Sequence, residues 1–138
     1  MDDLKLKALS NHLALDEEEA KDIENQADDL FSYGNQDWFV ATDDEADAKA
    51  KEYIEDSLWA FRPSFLASHS DVDEDVFELL SEKCEGANDA VKKLIKDFDH
   101  FVEDAIGQDG RGHFLSFYDG QENEEKVGDE TFYLFRLN

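Results

Sequence analysis

The sequence predicts an α+β fold that is mostly helical, with about five helices and a C-terminal antiparallel β-hairpin to which a third strand can add. Three observations carry this. Apolar residues recur three and four apart through most of the chain as far as Gly107. After Gly112 the pattern changes to two β-rich runs, "HFLSFY" at 113–118 and "TFYLFRL" at 131–137. Between helical segments, "DWFVAT" is too short and too aromatic for a helix and reads as the extra strand. The 138 residues, 41% hydrophobic with eleven Phe and two Trp, suit a single domain, 1–138, with a core of its own. Within it, residues 1–37 read as an N-terminal helical pair and 38–138 as a helical core plus the hairpin.

Leu4, Leu6, Leu9 and Leu13 mark the first helix. Asp16 then caps a second, with Glu17, Glu18 and Glu19 at its positive end and Ala20, Ile23, Ala27, Leu30 and Phe31 as its stripe, until Gly34 ends it. Thr42 and Glu45 spell a capping box for a third helix. It turns Ala46, Ala50, Tyr53, Ile54, Ser57, Leu58 and Phe61 inward and stops before Pro63. The fourth begins near Ser70 or Asp71, keeps Phe77, Leu80 and Cys84 on one face and ends at Gly86. The fifth is the most regular: Val91, Leu94, Ile95, Phe98, Val102 and Ala105 run to Gly107 as a central core helix. Both faces of the two C-terminal runs are apolar, so the hairpin is expected between helices, its strands joined by an acidic loop containing Gly120 and Gly128.

Thirty-seven acidic residues against thirteen basic leave a net charge of −24. A magnitude of about 2–8 suffices for the solubility of a small domain, and self-repulsion beyond it opposes compaction. Such a surface disfavours nucleic acid and anionic membranes as direct ligands. Cys84 is the only cysteine, so no intrachain disulfide can form, and it reads as a small core residue. "MDDLKLKALSNHLALDEEEA" lacks a basic stretch followed by an apolar run, and no apolar segment is long enough to span a bilayer; a soluble intracellular protein is the expectation.

Motifs that resemble chemistry are few. Asp71, Asp73 and Asp75, with Glu82 eleven positions after Asp71, imitate a calcium loop, but Val76 stands where the sharp turn needs Gly, and a helix N-terminus is the better reading. Asp97, His100 and Asp104 lie on one helix face and could join Asp109 or His113 around a divalent metal; such a row is more often the solvated flank of an amphipathic helix. Cys84 has no assignable His partner, and no nucleophile-elbow or P-loop spacing occurs. In "DGRGH" the residues Asp109, Gly110, Arg111 and Gly112 suit a turn into the hairpin, and Asp119-Gly120 a second turn. Arg111 is then expected to pair with Asp109 or Asp119. The expectation is a protein that is not an enzyme, with no catalytic residue, cofactor or metal.

"WFVATDDEADAKAKEYIEDSLWAF", "DGRGHFLSFYDGQENE" and the terminal "FYLFRLN" resemble a family of small acidic proteins encoded by bacteriophages and prophages, mostly uncharacterised, over residues 38–138. The resemblance implies the cytoplasm of a phage-infected bacterium, where small acidic proteins often occupy host machinery. It transfers no catalytic residue onto Arg111 or His113.

Between Lys21 and Lys49 there is no Lys or Arg. Asp22, Glu24, Asp28, Asp29, Asp37, Asp43, Asp44, Glu45 and Asp47 gather there, and Glu52, Glu55 and Asp56 continue the series. Carboxylates three and four apart on a helix sit about 5–6 Å from one another, comparable to two steps of a duplex strand at about 3.4 Å per phosphate. The expected function is therefore inhibition, by nucleic-acid mimicry, of a basic nucleic-acid-handling host protein such as a defence nuclease. Asp22, Glu24, Asp28, Asp29, Asp43, Asp44, Glu45, Asp47, Glu52, Glu55 and Asp56 would form the contact. Neutralising Asp43, Asp44, Glu45 and Asp47 together is expected to leave stability unchanged or raise it. The alternatives are a phage accessory or structural interaction protein without mimicry, a small metal-dependent enzyme, and a halophile's acidic protein, against which ten Lys and eleven Phe argue. A homodimer is compatible with any of these.

Overall fold

The computed structural model describes residues 2–138 and is α+β, with eight α-helices and a five-stranded antiparallel sheet among them. The chain divides into two compact units, one formed by the chain up to Ala50 with Asp109–Asn138, the other by Lys51–Gln108.

In the first unit α1 (Asp2–His12) and α2 (Glu17–Ala20) precede β1 (Glu24–Ala27), β2 (Leu30–Tyr33) and β3 (Gln36–Ala41). The start of α3 (Asp43–Asp56) follows, and Asp109 leads to α8 (Arg111–Leu115), β4 (Asn123–Val127) and β5 (Glu130–Arg136). The strand order is β1-β2-β3-β5-β4. α1 ends in a Schellman-type closure: Leu15 N–H donates to Ser10 O at 3.0 Å, with Ala14 left-handed at φ +56. The N-cap expected at Asp16 is formed, and Glu19 completes it as a capping box; the capping box expected at Thr42/Glu45 is also formed. The β2–β3 and β4–β5 turns share one design. Each two-residue loop opens with a positive-φ glycine, Gly34 (+59) before Asn35 and Gly128 (+63) before Asp129, as tight hairpins favour.

Alternation along the strands makes two faces. Phe31, Trp38, Val40, Phe132 and Leu134 pack with Ala8 and Leu9 of α1 and with Ile23. On the other face Phe39 lies against Phe135, ring centres 5.9 Å apart, and Ala41 is fully buried. β3 is apolar on both faces because it lies inside the sheet with covered sides, the situation that erases polar alternation.

The second unit carries α3 from Lys51 onward, 3-10 turns at Leu58–Ala60 and Cys84–Ala87, and α4 (Pro63–Ser68), α5 (Glu74–Ser81), α6 (Asn88–Leu94) and α7 (Phe98–Asp109) as far as Gln108. Ile54, Leu58, Leu66, Phe77, Val91, Phe101 and Ala105 form its interior. Phe101 receives Phe61, Phe65 and His69 at ring-centre distances of 5.1–5.2 Å.

Several expectations need correction. The N-terminal helical pair is absent: the second helix stops at Ala20, and Phe31 lies in β2 opposite Trp38. Asn25, Asp28 and Asp29 are poor helix interiors, and pairing Phe31 with Trp38 across two strands buries both rings. The hairpin's first strand is not "HFLSFY", which holds α8; it is Asn123–Val127, inside the expected acidic loop. Val127 reaches the α1-side core and Glu125 meets His12, so an edge strand of low β propensity is held by tertiary contacts. The central core helix is broken. Ile95 is extended and bridges Ser70, and Asp97 restarts the helix by accepting from His100 N–H at 3.2 Å. The third helix ends at Asp56 with Tyr53 outside, and Cys84 is exposed at φ +53 instead of lying in the core.

Candidate functional site

The segment "DGRG" builds a clasp in the first unit. Gly110, at φ +83, sets the entry to α8. Gly112 sits under the chain at 120–122: a Cβ there would stand 2.3 Å from Gly120 O and 2.9 Å from Glu122 N. That close approach brings Glu122 to Arg111, whose Nε donates to Glu122 Oε1 at 2.7 Å. Arg111 Nη1 donates to Asp43 Oδ1 at 2.8 Å, Asp47 Oδ1 at 3.0 Å and Asp43 O at 3.1 Å. The guanidinium also lies 4.7 Å from the centre of the Tyr133 ring. Its side chain is 9% exposed. Burial alone would lower its pKa, but the bonds to Glu122 and Asp43 dominate and hold it above the ordinary arginine value. The expected partners Asp109 and Asp119 are not the ones used: Asp119 accepts from Ser116 Oγ at 2.7 Å and from Gln121 N–H at 3.0 Å. The Ser116 bond, then the Gln121 bond, depresses the Asp119 carboxyl. His113 is exposed, against the edge of Phe114.

A second buried cation was not foreseen. Lys5, 3% exposed at the side chain, pairs with Asp29 and, at 2.9 Å, with Glu45. Burial pulls its pKa down, yet the bonds to Asp29 and Glu45 leave it raised; Glu45, nudged upward by burial, ends lowered through the Lys5 bond. The signal was in "KLKALS": Lys5 stands three and four residues before Ala8 and Leu9, on the buried side of α1.

These two cations divide the expected contact residues. Asp29, Asp43, Glu45 and Asp47 are engaged internally, and in the second unit Glu55 pairs with Lys92 at 2.6 Å. Asp22, Asp28, Asp44 and Asp56 are exposed and carry no ion pair among the described residues, and Glu24 accepts only from Gln26. Glu52, Glu55 and Asp56 belong to the second unit.

Of the candidate row Asp97, His100 and Asp104, Asp104 is bonded to His69 Nε2 at 2.7 Å, and His69 lies in the "RPSFLASHS" break that carried no site expectation. That bond, helped by Gln108, lowers the Asp104 carboxyl. Asp97 caps α7 and His100 is exposed, 5.5 Å from His69 ring to ring. Asp71 pairs with Lys96, and Asp73 precedes α5. Among the described residues no three His, Cys, Asp or Glu side chains are arranged to hold a metal ion, and no helix is long and apolar enough to cross a membrane. In comparisons with known proteins, no family model, no curated protein and no solved structure matches the chain.

Proposed function

We propose that the protein is a binding protein whose acidic surface occupies a basic, nucleic-acid-handling protein in place of nucleic acid, with no catalytic activity of its own. One observation supports this most: two cations of the first unit, Lys5 and Arg111, are spent inward. Lys5 and Arg111 are buried against five carboxylates, while Asp22, Glu24, Asp28 and Asp44 face outward with no ion pair among the described residues. A net charge of −24 displayed in this way attracts a positive groove over a Debye length and speeds association. We further propose a bacterial host as the source of the partner, which is what the resemblance to phage-encoded acidic proteins implies. The contact shifts from the α3 start toward the α2–β1 corner, because Asp43, Glu45 and Asp47 already hold cations of the fold.

The test is capture from bacterial lysate at low and high salt, with mass spectrometry of what elutes. A basic nucleic-acid-binding protein that leaves at high salt is expected. The variant Asp22→Asn, Glu24→Gln, Asp28→Asn, Asp44→Asn should bind it with a slower association rate and shallower salt dependence. Capture insensitive both to salt and to these substitutions would refute the proposal. A second reading, an accessory interaction protein without mimicry, is favoured by Phe117 and Tyr118, adjacent aromatics 62% and 57% exposed, the latter under the Arg136 guanidinium at 3.7 Å.

A further inference from the structure

α1, α2 and the turn between them line an open cleft of about 570 Å³, inside the range of about 300–1,000 Å³ that small ligands use. Its walls combine two chemistries. Leu6, Leu15 and Ala20 supply an apolar floor, while Asp3, Asp16 and Glu17 stand around it with Lys7 as the sole cation. Ser10 also lines it. That residue is 4% exposed, its carbonyl accepts from Leu15 N–H, and its hydroxyl has no hydrogen bond among the described residues. Among the described residues no buried side-chain nitrogen or oxygen lacks a hydrogen-bond partner, so the unbonded Ser10 hydroxyl is one that solvent reaches, on the cleft it lines.

We infer that this cleft seats one basic anchor side chain of a protein partner, an arginine or lysine entering with its aliphatic stem along Leu6 and Leu15. The inference rests on the reading of the protein as an acidic binder and locates one contact within it. Charge complementarity decides the occupant. Three carboxylates against one ammonium make the mouth negative, and the Asp16 side chain already accepts from Glu19 N–H at 2.8 Å, so Asp3 and Glu17 remain to pair with an incoming cation. A guanidinium has only donors to offer, and the Ser10 oxygen, Asp3 and Glu17 are acceptors. The methylene stem suits the Leu6–Leu15 floor, since long cationic side chains lay their carbons on apolar surface and keep the charged head among polar groups. Lys7 opposes the same occupant. Its removal should therefore improve binding of a single cation.

The probe is Nα-acetyl-arginine methylamide, titrated into the 15N-labelled full chain and followed by amide chemical shifts. Its neutral isostere, Nα-acetyl-citrulline methylamide, serves as the control. Saturable shifts should centre on Leu6, Ser10 and Leu15, with the citrulline compound at least about five-fold weaker, as expected when a charge-assisted contact is removed. Ser10→Ala should weaken arginine binding by about 2–10-fold, the range of one hydrogen bond, and Lys7→Gln should strengthen it by a few-fold. Both variants replace a helical residue by a good helix former, so loss of fold does not confuse the reading. Shifts spread over the exposed carboxylates without a centre at the cleft, equal binding of the two compounds, or no effect of either variant would overturn the inference. The two proposals can fail separately: a partner captured with unchanged affinity by Ser10→Ala and Lys7→Gln leaves the acidic surface standing without the cleft. Localised arginine binding without any salt-labile partner does the reverse.

Discussion

Replacing Asp43 and Asp47 by Asn should destabilise the protein, although the same change relieves a chain carrying a net charge of −24. The comparison that isolates the cause is Asp28→Asn with Asp44→Asn, which removes the same two charges from exposed positions without an ion pair among the described residues. In the first variant Arg111 stays buried and keeps only Glu122 as a charged partner. Hydrogen bonds to charged groups contribute about 1.5–3 kcal/mol each when shielded. Asp43 and Asp47 are 66% and 57% exposed at the side chain, so solvent screening reduces each to about 0.5–1 kcal/mol, and the pair to about 1–2 kcal/mol. For a chain of this size about 1 kcal/mol moves Tm by about 3–4 °C, which puts the loss at about 3–8 °C. Differential scanning calorimetry at low salt reads both variants directly. Equal Tm values for the two would refute the reasoning, since charge count alone would then govern stability. This also reverses the expectation drawn for Asp43, Asp44, Glu45 and Asp47 together. Three of those four hold a buried cation in place.

Phe101→Ala should cost about 3–5 kcal/mol in chemical denaturation, because Phe101 is fully buried in an aromatic cluster; Phe98→Ala should cost less, as Phe98 is only partly buried, with the Lys92 ammonium 4.8 Å from its ring centre. Gly112→Ala should destabilise by about 3 kcal/mol or prevent folding, since its Cβ would meet backbone at 2.3 Å, whereas Gly86→Ala, with open space around it, should be nearly neutral by thermal melting. The Lys5–Glu45 pair predicts a pH window. Glu45 is held below 4.5, so its share of stability is present above that value and is lost as pH falls through the lower folded pKa. Lys5 is held above 10.5, so its share is present below that value and is lost as pH rises through the higher folded pKa. The stability difference between the parent and Lys5→Met, followed by urea denaturation, should therefore be flat between these limits and shrink on either side; a difference that grows toward acid pH would contradict the pairing. In an NMR titration Asp104 should protonate below the ordinary 3.8, and His69→Gln should move it back toward that value.

Local chemistry carried as far as local causes reach. The cap at Asp16 and the capping box at Thr42/Glu45 formed where expected because each is complete within four residues and needs no distant partner. "DWFVAT" became β3 because two aromatics and a valine in so short a run suit a strand buried on both faces. The net charge, and so the class of partner worth considering, is a property of composition alone. What tertiary structure decided was every choice between near-equal local states. Ile23 through Phe31 had a helical stripe, but Phe31 is buried by pairing with Trp38, seven residues on, across the Gly34-Asn35 hairpin, a pairing that helical spacing does not register. "NEEKV" had no strand signal and became β4 because β5 offered it an open edge and α1 a place for Val127. The regular stripe from Val91 to Ala105 was interrupted by Asp97, whose side chain caps a new helix once Ile95 has paired with Ser70. The same distinction separates the acidic residues. Asp43 and Asp28 look alike in the sequence, and only the position of Arg111, brought in from 68 residues away, makes one a structural anchor and leaves the other on the surface. A long-range contact is paid for by burial summed over the whole fold, and no short stretch of sequence records that sum.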